Sequence, residues 1–188
     1  MRAARTDAIV IGASAGAVEA LSGILPSLPP EFRLPILVVV HVPSDRRSIM
    51  ADLFRAKCRL DVREAEDKEP IAAGTIYFAP PAYHLLVEAD RSLSLSNDEA
   101  VLFSRPSIDV LFESAADAYG AGVTAIVLTG ANQDGASGLG AIVEAGGIAI
   151  VQNPAEAFAS AMPEAAIHKC PEALVLSLAA IVEYLKKV

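Results

Sequence analysis

Short apolar runs recur along the chain and are separated by polar, glycine-rich or proline-containing segments. Most of these runs lack the strict alternation of a half-buried strand, which indicates burial on both faces, as in a parallel sheet covered by helices. They are rich in Val, Ile and Leu and are bounded by turn residues. We therefore predict strands at 8–13, 36–41, 75–79, 123–129, 147–152 and 173–176.

The segments between these strands have the spacing of amphipathic helices, with Pro, Gly and Asn at the joins. One segment differs: residues 84–97 contain two alternating runs around Ala89-Asp90-Arg91, which predicts an antiparallel hairpin. The order indicates an α/β fold, a doubly wound, mostly parallel sheet between two helical layers (Rossmann-like, three-layer) with a small antiparallel hairpin. The predicted helices are 16–26, 45–57, 107–119, 136–145 and 177–187.

Composition limits the class of protein. With 188 residues we expect a single domain spanning 1–188, and 53% hydrophobic residues with no Trp suit an aliphatic core. A formal net charge of -8 argues against nucleic acid as a partner. The longest apolar run, 34–40, is too short to cross a bilayer, and the charged first residues do not resemble a signal peptide. We expect a cytoplasmic protein without membrane insertion.

The first strand runs into Gly12-Ala13-Ser14-Ala15-Gly16. Glycines at this place could belong to a dinucleotide-binding fingerprint, but Ser14 and Ala17 replace two of its glycines, and the second strand ends at His41 rather than at an acidic residue. The same string satisfies G-x-S-x-G, the turn that exposes a nucleophilic serine. A serine that only caps the helix is the simpler alternative.

Two further residues strengthen the nucleophile interpretation. His41 and Asp134 follow other predicted strands, and parallel strands end at one edge of the sheet, where such folds bind ligands. Separately, His41 could be a strand-end histidine bonded to a carbonyl, and Asp134 a turn residue or helix cap. Together with Ser14 they provide a nucleophile, a base and a group that orients the base, so we predict Ser14, His41 and Asp134 as catalytic residues.

The chain resembles the catalytic domain of chemotaxis protein-glutamate methylesterases of the CheB type. The resemblance covers nearly all of residues 7–187, and it assigns the family's nucleophile, histidine and aspartate to Ser14, His41 and Asp134. Several motifs in the same order make it specific. They are "IGASAGAVEAL" (11–21), "VVVHVP" (38–43), "EAEDKEPIAAGTIYFAPPAYHLLV" (64–87), "SRPSIDVLFESAA" (104–116), "VLTGANQDGASGL" (127–139) and "AIVQNPAEAFASAMPEAAI" (149–167).

The resemblance implies a serine esterase of bacterial chemosensory signalling. It would remove methyl esters from glutamate side chains of methyl-accepting receptor helices, deamidate glutamine as a side activity, and need no metal or cofactor. The chain departs from the family at Ala15, Ala17 and Ala131, and it lacks the receiver domain that activates such enzymes. We therefore expect different regulation, through a separate regulatory protein, unless the sequence is a piece of a longer one.

Two other classes of function stay open. One is a non-catalytic module derived from this fold that binds a receptor or partner; the other is a nucleotide-binding protein. Among the remaining residues, the pair Glu164 and His168 predicts a solvated contact rather than a metal site, and Cys58 and Cys170 predict simple buried or half-buried thiols. His84 has no predicted role beyond a polar strand end. Residues 153–166 are expected either to wall the cleft or only to connect two elements.

Overall fold

A computed structural model describes residues 6–41 and 49–188. Short 3₁₀ turns lie at Leu25–Ser27, Gly120–Gly122 and Pro154–Glu156. The strands of the described part are β1 (Ala8–Ala13), β2 (Ile36–Val40), β3 (Asp61–Glu64), β4 (Thr75–Phe78), β5 (His84–Val87), β6 (Leu93–Ser96), β7 (Val123–Val127), β8 (Ile148–Gln152) and β9 (Leu174–Leu176). Its helices are α1 (Ala17–Ile24), α2 (Met50–Arg55), α3 (Ile108–Tyr119), α4 (Ala136–Glu144), α5 (Ala161–Lys169) and α6 (Leu178–Leu185).

Strand β1 lies at the centre of a parallel sheet of order β3-β4-β2-β1-β7-β8-β9. Gly12 in β1 pairs with Val39 of β2 on one side and with Val127 of β7 on the other. The chain therefore leaves three adjacent strands at the same edge, next to the point where the winding of the sheet changes direction. Open α/β sheets bind their ligands at such a point.

Each face of the sheet is covered by a separate apolar cluster. On one face, β-strand side chains pack with Leu21 of α1, Phe54 of α2 and Ile181 of α6. On the other, they pack with Phe112 of α3, Leu139 of α4 and Leu85 of the hairpin. The inner strands β1, β2, β4 and β7 are buried on both sides, which explains their continuous apolar runs. The predicted fold class, a doubly wound sheet between helical layers with a small hairpin of β5 and β6, is confirmed.

The structure differs from the sequence prediction at several elements. Strand β3 was not predicted, because three of its four residues are charged and only Val62 is buried. Helix α5 was not among the predicted helices, although Glu164 and His168 were expected in a short helical stretch and 153–166 as a connection or cleft wall. The helix predicted at 45–57 begins at Met50 in the part described, and its first residues fall in 42–48, outside that part. Within the described residues, no helix is both long and apolar enough to span a membrane.

Candidate active site

Ser14 occupies a tight turn between β1 and α1. Its backbone N–H donates to the Thr129 carbonyl at 2.9 Å, and its own carbonyl accepts from Ala17 N–H at 2.9 Å. Gly16 next takes φ = 82°, a left-handed conformation that favours glycine. A Cβ added at Gly16 would lie 2.6 Å from Cβ of Phe158. The turn is therefore shaped by backbone bonds and by close packing, as the strand-to-helix elbow predicts.

His41 follows β2 directly and is fixed at both its backbone and its ring. Its backbone N–H donates to the Ala13 carbonyl at 3.2 Å. Its Nε2–H donates to Asp134 Oδ2 at 2.7 Å, a charge-assisted bond at the short end of the usual range. The His41 side chain is 12% exposed, whereas that of Asp134 is completely buried. The imidazole therefore has a buried carboxylate on one side and access to solvent on another.

Four donors surround the Asp134 carboxylate. Oδ2 accepts from His41 and from the backbone N–H of Ile108 at 2.7 Å, and Oδ1 accepts from Ser107 Oγ and from Asp109 N–H, both at 2.9 Å. Burial alone would raise the pKa of Asp134, but the bonds from His41 and from the Asp109 and Ile108 N–H groups hold the pKa below its ordinary value. Asp134 is thus an ionised acceptor at the start of α3.

A second carboxylate, Asp109, lies behind Asp134. Its Oδ1 accepts from the backbone N–H of Gly135 at 2.9 Å and of Gly138 at 2.7 Å, at the start of α4. Burial raises the pKa of Asp109 to about 6, with a further rise from the nearby charge of Asp134, against the lowering effect of the two N–H bonds. Asp109 therefore holds the loop that carries Asp134.

His84 supports the same region from the hairpin. It is buried, its Nδ1 accepts from the backbone N–H of Ser107 at 3.1 Å, and its Nε2–H donates to the Glu99 carbonyl at 2.9 Å. Both ring nitrogens are therefore used in the neutral form. The hydroxyl of Ser107 also donates to Asp134. By binding the Ser107 backbone, His84 therefore fixes the start of α3 next to the Asp134 carboxylate.

Thr129 joins the elbow to the segment before α5. Its Oγ1 donates to the Ala15 carbonyl at 2.8 Å and accepts from Ala159 N–H at 2.9 Å. Its backbone N–H donates to Gln152 Oε1 at 2.9 Å. Thr129, which follows β7 by two residues, thereby holds the elbow and the segment containing Phe158 together.

Ser14 and His41 line the same open groove of about 630 Å³. Glu19, Lys57 and Phe158 also line it. Phe158 is 78% exposed and separates this groove from a second one of about 270 Å³ that contains Glu156 and Gln152. Within 6–41 and 49–188, no cluster of three or more His, Cys, Asp or Glu side chains has the arrangement of a metal site.

The predicted residues thus lie after β1, β2 and β7, which are neighbours in the sheet. His41 and Asp134 are bonded, and Ser14 lines the same groove as His41, with Asp134 buried behind the imidazole. Sequence reasoning missed the supporting groups, which are Ser107, Asp109, His84, Thr129 and Asn132. All five lie in motifs given above: Asn132 and Thr129 in 127–139, Ser107 and Asp109 in 104–116, and His84 in 64–87. The sequence does not show that these motifs contact one another.

Known proteins share this arrangement of strands and loops. The profile of the CheB methylesterase family matches residues 9–185. The crystal structure of the Thermotoga maritima CheB methylesterase catalytic domain superposes with a TM-score of 0.92 at 31% identity, over 97% of this chain and 98% of that one. The chain therefore belongs to the CheB methylesterase family.

Two relatives show how the chain compares in length. A protein of Leptospira interrogans, provisionally named a protein-glutamate methylesterase/protein-glutamine glutaminase, is 47% identical over 94% of this chain and 92% of its own length. An Anaeromyxobacter dehalogenans protein-glutamate methylesterase/protein-glutamine glutaminase is 40% identical over 89% of this chain and 49% of its own length. The chain thus spans nearly all of one relative and about half of the other. The resemblance stated from the sequence motifs is confirmed.

Proposed function

We propose that this chain is a protein-glutamate methylesterase, a serine hydrolase with Ser14 as nucleophile, His41 as general base and Asp134 as the group that orients His41. Its substrates are methyl esters of glutamate side chains on chemoreceptor helices. The observation that carries the site assignment is the 2.7 Å bond between His41 Nε2 and Asp134 Oδ2 beside a serine at a strand-to-helix elbow. Family membership supports the reaction class.

The orientation of His41 defines the direction of proton transfer. Because Nε2–H points at Asp134, Nδ1 is the unprotonated ring nitrogen and the atom that takes the proton of Ser14. In the familiar serine-protease triad the aspartate bonds Nδ1 and the serine bonds Nε2, so the two ring nitrogens have exchanged tasks here. The ionised Asp134 stabilises the imidazolium that forms.

The first chemical step forms an acyl-enzyme. Ser14 Oγ attacks the ester carbonyl carbon as its proton moves to His41 Nδ1, and the carbonyl oxygen becomes an oxyanion. The backbone N–H groups of Ala15 and Gly16 donate to no acceptor within residues 6–41 and 49–188. They lie at the positive end of α1, where they can donate to that oxygen. Collapse of the tetrahedral intermediate breaks the bond to the methoxy oxygen, which takes the proton from His41 and leaves as methanol.

Water completes the reaction by the reverse sequence. His41 Nδ1 takes a proton from water, the hydroxide attacks the acyl carbon, and Ser14 leaves with the proton returned by His41. The products are a glutamate carboxylate and the free serine. A glutamine side chain would enter the same steps with ammonia as the leaving group, which agrees with the glutaminase activity in the names of the relatives.

The partner and location follow from this substrate. The segment of a receptor that exposes methylated glutamates is a cytoplasmic helix, so we propose that the protein acts in the cytoplasm. A separate protein that regulates access to the groove is part of the same proposal. Phe158 lies beside the elbow with most of its ring exposed, and it offers an apolar contact for such a helix.

Methanol release from methylated receptor tests this function. We expect the parent protein to release methanol and Ser14→Ala to release none above background, at equal folded concentration. Ser22→Ala, which alters another serine at the rim of the groove, is the matched control and should retain parental activity. Release by Ser14→Ala at the parental rate would exclude Ser14 as the nucleophile.

A further inference from the structure

Asn132 connects the two partners of the His41–Asp134 bond a second time. Its Oδ1 accepts the backbone N–H of Asp134 at 3.1 Å, and its Nδ2 lies 3.3 Å from His41 Nδ1. Three contacts therefore form a closed ring. The His41 imidazole contacts the Asn132 amide, the amide bonds the Asp134 backbone, and the Asp134 carboxylate bonds the imidazole. Asn132 has no assigned role in the steps described above.

The hydrogen-bond donors determine which way the amide points. The backbone N–H of Asp134 is a donor, so the atom of Asn132 that faces it must be the oxygen. The NH₂ group is then directed at His41 Nδ1, which must be an unprotonated acceptor. The carboxylate at Nε2 requires the same tautomer, with its proton on Nε2. Both contacts of the ring therefore select one tautomer and one ring orientation.

The amide and Ser14 need the same lone pair. Nδ1 is the nitrogen left for proton transfer, yet Asn132 occupies it at 3.3 Å, a distance beyond the usual range of a hydrogen bond and easily given up. The hydroxyl of Ser14 makes no hydrogen bond to a residue within 6–41 or 49–188. The structure therefore represents a resting arrangement in which the base is held by Asn132.

We propose that Asn132 is a positioning residue that holds His41 as the Nε2–H tautomer, and that its amide and the Ser14 hydroxyl occupy the Nδ1 lone pair in turn. This inference rests on the proposed function for its consequence in catalysis. Once Nδ1 carries a proton, the Asn132 NH₂ group faces another donor and must turn away. Asn132 therefore favours the neutral imidazole over the imidazolium.

Other charged groups of the described residues lie near the ring. Within the described part of the chain, Asp134 is bonded to Nε2, and Glu19 of α1 and Lys57 beyond α2 line the same groove. Asp109 lies behind Asp134 and is bonded to Gly135 and Gly138 rather than to the ring. Replacing Asn132 leaves each of these groups in place, so a change in the titration of His41 reports on the amide itself.

The test is an NMR titration of the His41 ring in the whole protein without substrate, for the parent, Asn132→Ala and Asn132→Asp. The chain has three histidines, so the ring signals can be assigned by substitution. Loss of the amide donor should move the titration of the ring to higher pH, because the Asn132 NH₂ group contacts only the unprotonated Nδ1. Asn132→Asp keeps the acceptor for Asp134 N–H but places a carboxylate oxygen against Nδ1, so the titration should move further in the same direction.

The controls separate positioning from a merely structural role. Gln133→Ala changes the exposed neighbouring side chain and should leave the titration unchanged. The acid limb of the kcat/KM profile should move with the His41 titration in each variant. An unchanged titration in both Asn132 variants, with the fold intact by thermal unfolding, would overturn the inference. If the titration moves but the parent releases no methanol, the proposed function fails while the positioning of His41 stands.

Discussion

Asp134 caps the start of α3, the helix that contains Asp109, and Asp109 in turn caps the start of α4, the helix that follows Asp134. Asp134, one residue before the turn into α4, accepts the first N–H groups of α3, and Asp109 in the first turn of α3 accepts N–H groups at the start of α4. Unpaired N–H groups at two helix starts are satisfied by two buried carboxylates. The residue that orients His41 is therefore also part of the joint between two helices.

This joint predicts that Asp134 contributes to stability as well as to activity. In Asp134→Asn, an NH₂ group replaces one of the two oxygens that accept hydrogen bonds from buried donors. The NH₂ group then faces those donors, which lose their acceptor. We expect the free energy of unfolding in urea to fall by about 3 kcal/mol, with kcat reduced strongly. Ser14→Ala, in contrast, should lose activity at parental stability. Equal unfolding midpoints for Asp134→Asn and the parent would show that the carboxylate does not hold the joint.

Asp109 predicts a pH dependence of stability with a defined sign. Its pKa is about 6 in the folded protein against an ordinary value of 3.8, so the folded state binds the proton more tightly between these values. The contribution of Asp109 is therefore present at low pH and is lost as the pH rises from about 4 to 6. Asp134 acts oppositely, because its lowered pKa contributes stability above pH 3.8 that is lost below it.

The comparison of the parent with Asp109→Asn isolates this effect. The difference in free energy of unfolding, parent minus variant, should fall by about 1–2 kcal/mol from pH 4 to pH 7. Gln133→Ala, which changes an exposed uncharged side chain, should give a difference that does not vary with pH in this window. Parallel curves for the parent and Asp109→Asn would contradict the assignment.

His84 should matter for stability although it lies outside the groove. Replacement by Leu leaves the Ser107 N–H and the Glu99 carbonyl without their partner, and we expect a loss of about 2 kcal/mol in the free energy of unfolding. Because Ser107 bonds Asp134, kcat should fall with little change in KM. His168→Leu changes an exposed histidine and should alter stability by less than about 0.5 kcal/mol. Equal stability for the two variants would disprove the support role.

Phe158 should affect recognition of the protein substrate more than chemistry. Its ring is largely exposed, so Phe158→Ala should change stability by less than about 0.5 kcal/mol. Loss of an apolar contact with a receptor helix should lower kcat/KM for methylated receptor about tenfold, while hydrolysis of a small methyl ester continues at a rate near the parental one. Phe103→Ala, an exposed aromatic that does not line the groove, is the control. Equal losses with both substrates would refute the recognition role.

The sequence was sufficient for the strands that form the centre of the sheet. Their aliphatic runs are long and bounded by glycine or proline, and β1 begins and ends where the pattern predicts. Strand β3 could not be recognised, because an edge strand with one buried residue has almost no periodic signal. The meeting of Ser14, His41 and Asp134 at one edge could be predicted because parallel strands share their direction.

The groups that hold the site are tertiary in origin. Ser107 and Asp109 are 27 and 25 residues from Asp134, and no local pattern relates the start of α3 to the start of α4. An Asp before Gly has the appearance of an ordinary turn residue. Its role becomes visible only when the two helices pack. For the same reason His84 had no predicted function, although it is buried between two backbone partners.

Locating the covalent intermediate tests directly whether Ser14 is the nucleophile. Treatment with a phosphonofluoridate, which reacts with activated serines, should label the tryptic peptide 6–33, and fragmentation should place the label on Ser14 rather than on Ser22 or Ser27. Labelling should disappear in Ser14→Ala and slow markedly in His41→Ala. A label on another residue, or none on a folded parent protein that releases methanol, would contradict the assignment of Ser14 as the nucleophile.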